Sequence, residues 1–306
     1  MSGPGRARHL QKQHGKGYLP GFTIMYNAVT IDVEDYFQVA ALAKWAPTDS
    51  WDEHPSRVEE NTEKALALMD ERGIKGTFFI LGWVAERQPQ LVKKIHELGH
   101  EVASHGYSHQ LVYNQSQEVF RNETERSKKL LEDIIGQEIL GYRAASYSIT
   151  KESLWALDIL AECGFKYDSS IFPVRHDRYG IPDAIDVPHK LRSPSGYELT
   201  EFPITTLKIF NYRLPVAGGG YFRLFPYGFS KWALKRVNQV QKQSFVFYLH
   251  PWELDPEQPK FPATGLSKFR HYNNLDVCSE RFEKLLDAFE FTTVESILKK
   301  QSLLDA

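Results

Sequence analysis

Ala28-Val29-Thr30-Ile31-Asp32-Val33-Glu34-Asp35 is an apolar, largely β-branched run that ends in three carboxylates within four residues. Val, Ile and Thr fit a pleated, buried strand. A strand that turns acidic at its C-terminal end is how α/β barrels present reactive groups at one mouth. Working outward, Arg57 to Arg72 has helical spacing, with Val58, Ala65, Leu68 and Met69 apolar and Gly73 as the stop. Gly76-Thr77-Phe78-Phe79-Ile80-Leu81 reads as a second buried strand. A helix from Pro89 to Leu98, a strand from His100 to Ser104 and a polar helix from Ser116 to Ile135 continue the alternation.

Ile139 to Arg143 then reads as a strand, Lys151 to Cys163 as a helix, and Phe165 to Asp168 as a short strand. Leu199 to Ile204 and Ser244 to His250 follow as strands, with a Gly- and Pro-rich loop around Pro215 to Pro226 between them. Helix Ser279 to Phe289 and strand Phe291 to Val294 close the series. Repeated strand–helix alternation implies parallel strands joined by right-handed crossovers. The expected fold is α/β: a distorted (β/α) barrel of about seven parallel strands, related to the TIM barrel. No Gly-rich fingerprint follows the first strand, which argues against dinucleotide binding.

The 306 residues suit one such barrel, expected over residues 25–300, after a disordered extension at 1–24. A formal net charge of -2 argues against a nucleic-acid partner. No run approaches the ~20 apolar residues of a membrane span. Arg6, Arg8, Lys12 and Lys16 have no apolar stretch after them before Phe22, so no secretory leader is expected. Cys163 and Cys278 are expected to be free thiols, which suits a reducing, cytoplasmic setting.

Five features at strand ends could carry chemistry. Asp32 and Glu34 share one side of a strand, and a bound cation would relieve the repulsion of this acidic run. In His105-Gly106-Tyr107-Ser108-His109 the two imidazoles lie at i and i+4. They would share a face if the segment is helical, and two histidines with one carboxylate are a common catalytic metal set. Arg143 at a barrel mouth could orient a carboxylate. Asp168 ends a short strand, where capping a turn is its plainer use. His250 ends an apolar strand, where packing needs no histidine and a proton donor would serve. The Gly218-Gly219-Gly220 run reads as a flexible loop that lets Tyr221, Phe222 and Arg223 cover a substrate.

With these residues in this order, the chain resembles the polysaccharide deacetylases, carbohydrate esterase family four with its NodB-like domain, over most of residues 28–295. Thr30-Ile31-Asp32 with the following acids is similar to the family's aspartate motif. Ser104 to His109 is similar to its metal motif, and Phe247 to Pro251 to its closing Leu-x-His-Pro motif. Asp32 to Phe37 and Gly218 to Arg223 resemble a subgroup found with exopolysaccharide loci of the exosortase type.

The resemblance implies hydrolysis of the acetamide of N-acetylated sugars, in a polysaccharide or its biosynthetic precursor, with release of acetate. It implies one divalent metal, zinc before cobalt, nickel or iron, held by His105, His109 and either Glu34 or Asp35. Asp32 would be the general base and His250 the general acid. Arg143 would orient Asp32, and Asp168 would pair with His250. Leu249 would shape the acetyl pocket, a backbone N–H near Tyr147 would hold the oxyanion, and Trp252 would join Tyr221, Phe222 and Arg223 at the substrate. One departure is Ala145, where related chains carry a loop-stiffening proline. Two other readings stand beside this one: a metal-dependent hydrolase of a small cyclic amide or ureide on the same scaffold, and a sugar-binding protein with a decayed site.

Overall fold

The computed structural model describes residues 24–176 and 178–305, so the extension expected over 1–24 lies, but for Ile24, outside the described residues. In chain order the elements are β1 (Tyr26–Val33), α1 (Val58–Asp70), β2 (Thr77–Ile80), α2 (Gly82–Arg87), α3 (Pro89–Glu97) and β3 (Glu101–Ser104). Next come α4 (Gln117–Ile135), β4 (Gly141–Tyr142), α5 (Trp155–Glu162), β5 (Tyr167–Asp168), β6 (His189–Arg192) and β7 (Glu198–Glu201). The hairpin β8 (Thr206–Ile209) and β9 (Tyr212–Pro215) precedes α6 (Gly219–Leu224), α7 (Tyr227–Gln239) and β10 (Val246–Leu249). The last elements are α8 (Gly265–Tyr272), α9 (Cys278–Leu286), β11 (Glu290–Thr292) and α10 (Val294–Lys300).

The main sheet runs β10-β1-β2-β3-β4-β5-β7-β6, and β11 pairs with β1 alongside β10. Every pairing from β10 through β7 is parallel, and only β6 is antiparallel. The barrel of parallel strands read from the sequence is therefore present, but the sheet does not close. Between β7 and β10 the gap is bridged by Val246 N donating to Thr205 Oγ1 at 2.9 Å and Tyr248 N donating to the Ala217 carbonyl at 2.9 Å.

Period-two alternation divides the core. Val29, Ile31, Val33, Phe247 and Leu249 face outward into the helix-packed cluster. Ala28, Phe79, Ala103, Tyr167, Phe202, Val246 and Tyr248 fill the inside. Inward positions near the strand ends are then left for polar groups.

Two expectations need correction. Residues 105–109 are not helical: they form a loop after β3, with His109 at φ 52°. The Pro215 to Pro226 stretch is not a plain loop either, since it holds α6. The helix α7 beyond it is carried by buried Ser230, Ala233, Leu234 and Val237, a stripe at helical spacing.

Candidate active site

The strand ends bring Glu34, His105 and His109 together, each offering one ligand atom, with these atoms all within 4.8 Å of one another. Strand alternation places Glu34 on the same side as Asp32. His105 follows β3 directly, and its Nδ1 bonds the Arg143 carbonyl at 2.8 Å. That bond leaves Nε2 facing the cluster, the arrangement by which a second partner fixes a ligating imidazole. Burial pushes the His105 pKa down to about 4, so its ring is neutral and its lone pair is available.

His109 is brought in by the loop. Ser108 Oγ donates to Glu123 at 2.6 Å and the Tyr107 hydroxyl to Glu86 at 2.6 Å, which pins the turn on both sides. His109 Nε2 then lies 2.8 Å from Glu34 Oε2, and His109 Nδ1 is buried without another hydrogen-bond partner. A cation held between this carboxylate and the two imidazoles would serve all three. The donor set of one carboxylate and two imidazoles fits a divalent transition metal.

Asp32 sits beside this cluster. Its Oδ1 accepts from Arg143 Nη1 at 2.6 Å, and the same nitrogen donates to Thr30 Oγ1 at 2.7 Å. Arg143 is fully buried. It is held further by the Ser169 hydroxyl at 3.0 Å and by the Ser169 carbonyl at 3.2 Å, and it lies over the Phe79 ring. The loop at Ala145, where related chains carry proline, is tied by hydrogen bonds. The Ser148 hydroxyl donates to the Ala145 carbonyl at 2.6 Å, and Ala144 N donates to Ser170 Oγ at 2.7 Å.

His250 faces the cluster from β10. Its Nε2 is 3.6 Å from Glu34 Oε1 and 4.0 Å from Asp32 Oδ2. Its Nδ1 bonds Glu253 at 2.7 Å. Arg223 Nε donates to the other oxygen of Glu253 at 2.5 Å. Burial alone would lower the His250 pKa, but Glu34, Glu253 and Asp32 outweigh it and push it up to about 9. Burial would raise the Glu253 pKa, yet Arg223 and His250 hold it down at about 2. Trp252 stacks on His250 and donates its indole N–H to Glu34 at 3.1 Å.

Several expected placements are overturned. Asp168 does not pair with His250. Tyr167 takes the inward position of β5, so Asp168 points to the opposite face, where it meets Ser170 at 2.5 Å and Glu201. Asp35 is no ligand, because its carboxylate accepts from Tyr36 N, Ser56 Oγ, Arg57 N and Val58 N and so caps the start of α1. The Tyr147 backbone N–H is taken by the Ala144 carbonyl at 3.0 Å. Leu249 faces the outer core rather than a cavity.

Phe222 is buried edge-on against Phe247, and the Arg223 side chain is committed to Glu253 and to the carbonyls of Arg270, His271 and Asn273, so neither covers a substrate. Tyr221, Arg223 and Trp252 line an open cavity, but the Arg223 guanidinium is already taken up by these partners. Gly218 is no hinge. It pairs with Tyr248 at φ +133°, and a Cβ there would lie 1.9 Å from the Tyr248 carbonyl oxygen.

Glu253 was not picked out from the sequence, although a signal existed. His250-Pro251-Trp252-Glu253 has proline at the first position of a helical turn, which puts residues three apart face to face. Ser169 and the Arg223–Glu253 contact had no such signal.

Two cavities flank the cluster. One, of about 360 Å³, runs past His250 and is walled by Tyr179, Tyr221, Tyr248 and Trp252. The other, of about 310 Å³, runs past His109 beside Trp51. Val39 and Ala40 line both.

Residues 49–167 match the family model described as polysaccharide deacetylase, and residues 169–299 match one described as a domain of unknown function, DUF3473. A peptidoglycan-N-acetylglucosamine deacetylase of Bacillus cereus is 34% identical over 77 residues, 25% of this chain and 28% of that protein. A peptidoglycan deacetylase of Helicobacter pylori is 28% identical over 147 residues, 44% of this chain and 47% of that one. The chain thus spans less than half the length of these relatives. Two solved structures share the fold at a TM-score of 0.60, each covering 94% of this chain and 93% of its own. One, of Mycobacterium smegmatis, is described as a polysaccharide deacetylase and is 19% identical. The other is an allantoinase, 14% identical. The site draws on both matched segments: His105, His109 and Arg143 lie in the first, His250, Glu253 and Arg223 in the second.

Proposed function

On the premise that a polysaccharide deacetylase domain of the family-four, NodB-like type (residues 49–167) is joined to a DUF3473 extension (169–299), we propose that the protein hydrolyses the acetamide of N-acetylated sugars and releases acetate. The observation that carries this reading is convergence. A ligand set of Glu34, His105 and His109 lies between Asp32, oriented by Arg143, and His250, oriented by Glu253.

A divalent ion held there, zinc first among the candidates, would polarise the acetyl carbonyl and make bound water acidic. Asp32, with one oxygen fixed by Arg143, has its other oxygen available to accept the proton of the attacking water. His250, charged and within 4.0 Å of Asp32, is placed to protonate the departing amine, since an amide nitrogen leaves badly without a proton. The two cavities, one past His250 and one past His109, suit a sugar with neighbours on either side. By resemblance in Asp32 to Phe37 and Gly218 to Arg223, the substrate is an exopolysaccharide or its precursor, and the reducing setting expected from the free thiols favours the precursor.

The test is acetate release from N-acetylglucosamine oligomers by chelator-treated protein, with and without zinc. Release restored by zinc and lost in Asp32→Asn supports the reading. A metal-loaded protein inert on these oligomers counts against it. The second reading, hydrolysis of a small cyclic amide, is favoured by the fold shared with the allantoinase. Turnover of allantoin without acetate release from sugars would select it.

A further inference from the structure

The most exposed apolar side chains of the described residues lie away from the cluster, on the β8–β9 hairpin. Phe210 is 89% exposed and Tyr212 80% exposed. Ile209 pairs with Tyr212, so Phe210 and Asn211 form a two-residue turn. Phe210 has φ 52°, a left-handed conformation for which such turns favour glycine or asparagine. Phenylalanine there is strained and, so exposed, gains no packing that offsets the strain, so folding does not account for its presence. The hairpin itself is firmly held. Lys208 N donates to Gln241 Oε1 at 3.0 Å. Arg213 Nη1 donates to the carbonyls of Pro182 at 2.9 Å and Ala184 at 2.7 Å, and its Nε lies 3.3 Å from Asp186. Gln241 precedes β10, so the hairpin is anchored near the start of that strand, whereas His250 follows its end. Beside the tip, a recess of about 520 Å³ carries Arg175, Lys208 and Arg213 on its wall and no acidic residue among its described lining. Arg213 is committed as above, while Arg175 and Lys208 are exposed. The acids of the adjoining segment 182–186 are already paired, Asp186 with Arg213 and Asp183 with Lys151 at 2.7 Å. Between Ala184 and Asp186, both in contact with Arg213, Ile185 adds an aliphatic side chain that is 53% exposed.

We propose that the β8–β9 hairpin is an interfacial anchor: Phe210 and Tyr212 enter the headgroup region of an anionic phospholipid surface, with Lys208 and Arg175 against its phosphates. Amphipathic rings settle at the headgroup level, and basic residues beside them are drawn to anionic lipids. Size favours a lipid surface over a protein partner. Two aromatic side chains offer roughly 300–500 Å², short of the ~800 Å² per partner of a stable protein interface. Such an anchor holds a chain at a membrane reversibly rather than across it. It is separate from the reacting cluster and independent of the reaction proposed above.

The experiment is co-sedimentation of the full chain with vesicles of phosphatidylcholine alone, and of phosphatidylcholine with a quarter phosphatidylglycerol. Wild type is compared with Phe210→Ser/Tyr212→Ser and with Arg175→Ala/Lys208→Ala, and near-ultraviolet circular dichroism checks that both variants are folded. Wild type should partition about tenfold more strongly into the anionic vesicles, and raising salt to about 0.5 M should remove that preference. The aromatic variant should bind both compositions about tenfold more weakly. The cation variant should lose the anionic preference alone. No vesicle binding by wild type, or binding that the folded aromatic variant keeps undiminished, overturns the anchor. A dimer in solution that the aromatic variant dissolves gives the tip to a second copy of the chain and overturns it as well.

Discussion

Two buried carboxylate groups at neighbouring strand ends have opposite electrostatics. At the barrel mouth, Asp32 faces Arg143, and Glu253 lies between His250 and Arg223, so each of these two anions has a cation within hydrogen-bond reach. On the outer face, Asp168 and Glu201 face each other. Burial pushes Asp168 up to about 6 and Glu201 well above its usual range. The first group is built to keep charge inside a protein, which is costly unless paired. The second carries less charge, because Glu201 keeps its proton beside Asp168. A charged, compensated cluster at the barrel mouth can do acid–base work, whereas a carboxylate pair that holds a proton in the core behaves as a hydrogen-bonded part of the fold.

The largest effect expected from this contrast is on turnover. Asp32→Asn should cost ~10²–10⁴-fold in acetate release, the range for one positioned base, while Asp168→Asn should change it only a few-fold. Equal losses would erase the distinction between the two groups. Glu253→Gln comes next. It removes the carboxylate that holds His250 and leaves Arg223 buried without its anion. A loss of about 10²-fold in turnover is expected, with destabilisation of ~3–5 kcal/mol as for other broken buried pairs. Denaturant midpoints separate the two contributions, and full activity in a folded Glu253→Gln would remove Glu253 from the site.

The acidic run sharpens the comparison further. Glu34→Gln, like His105→Ala, should abolish uptake of a divalent ion. Asp35→Asn should keep it and lose ~1–2 kcal/mol of stability, because Asp35 caps α1. Metal content by elemental analysis and thermal melting give the two readouts. Retained metal in Glu34→Gln would return the choice to Asp35.

The smallest effect is on pH dependence. Burial, only partly offset by bonds from Thr77 and Tyr167, pushes Glu101 up to about 7. Its folded pKa thus lies above the unfolded value of about 4.3. The folded chain holds this proton more tightly, so its contribution is full below pH ~4 and is lost as pH rises towards 7. Glu101→Gln should flatten stability against pH between 5 and 7 by up to about 1.4 kcal/mol per pH unit. An unchanged slope in urea titrations would mean Glu101 is ionised in the fold.

Much of the site was readable because strand geometry is local. Asp32 and Glu34 share a face because side chains alternate, and His105 and His250 directly follow apolar strands. The same rule, applied to Tyr167, would have turned Asp168 outward, but the register of a two-residue strand has too few side chains to declare itself. The His105 and His109 pair was found for a reason the structure replaces: the loop turns at Gly106 and His109, and no helix carries them.

Composition and periodicity determined the parallel sheet, the polar ends of its strands, and a pair of neighbouring histidines as candidate ligands, because each depends on neighbours within a few residues. Tertiary structure decided that Glu34 lies with the two histidines while Asp35 caps a helix, that Glu253 rather than Asp168 holds His250, and that Arg223 is locked in the core. Apart from the His250–Glu253 contact, which spans three residues, those outcomes depend on which groups meet across 20 or more residues of chain once water is excluded, and a buried charge settles only where the fold supplies its opposite.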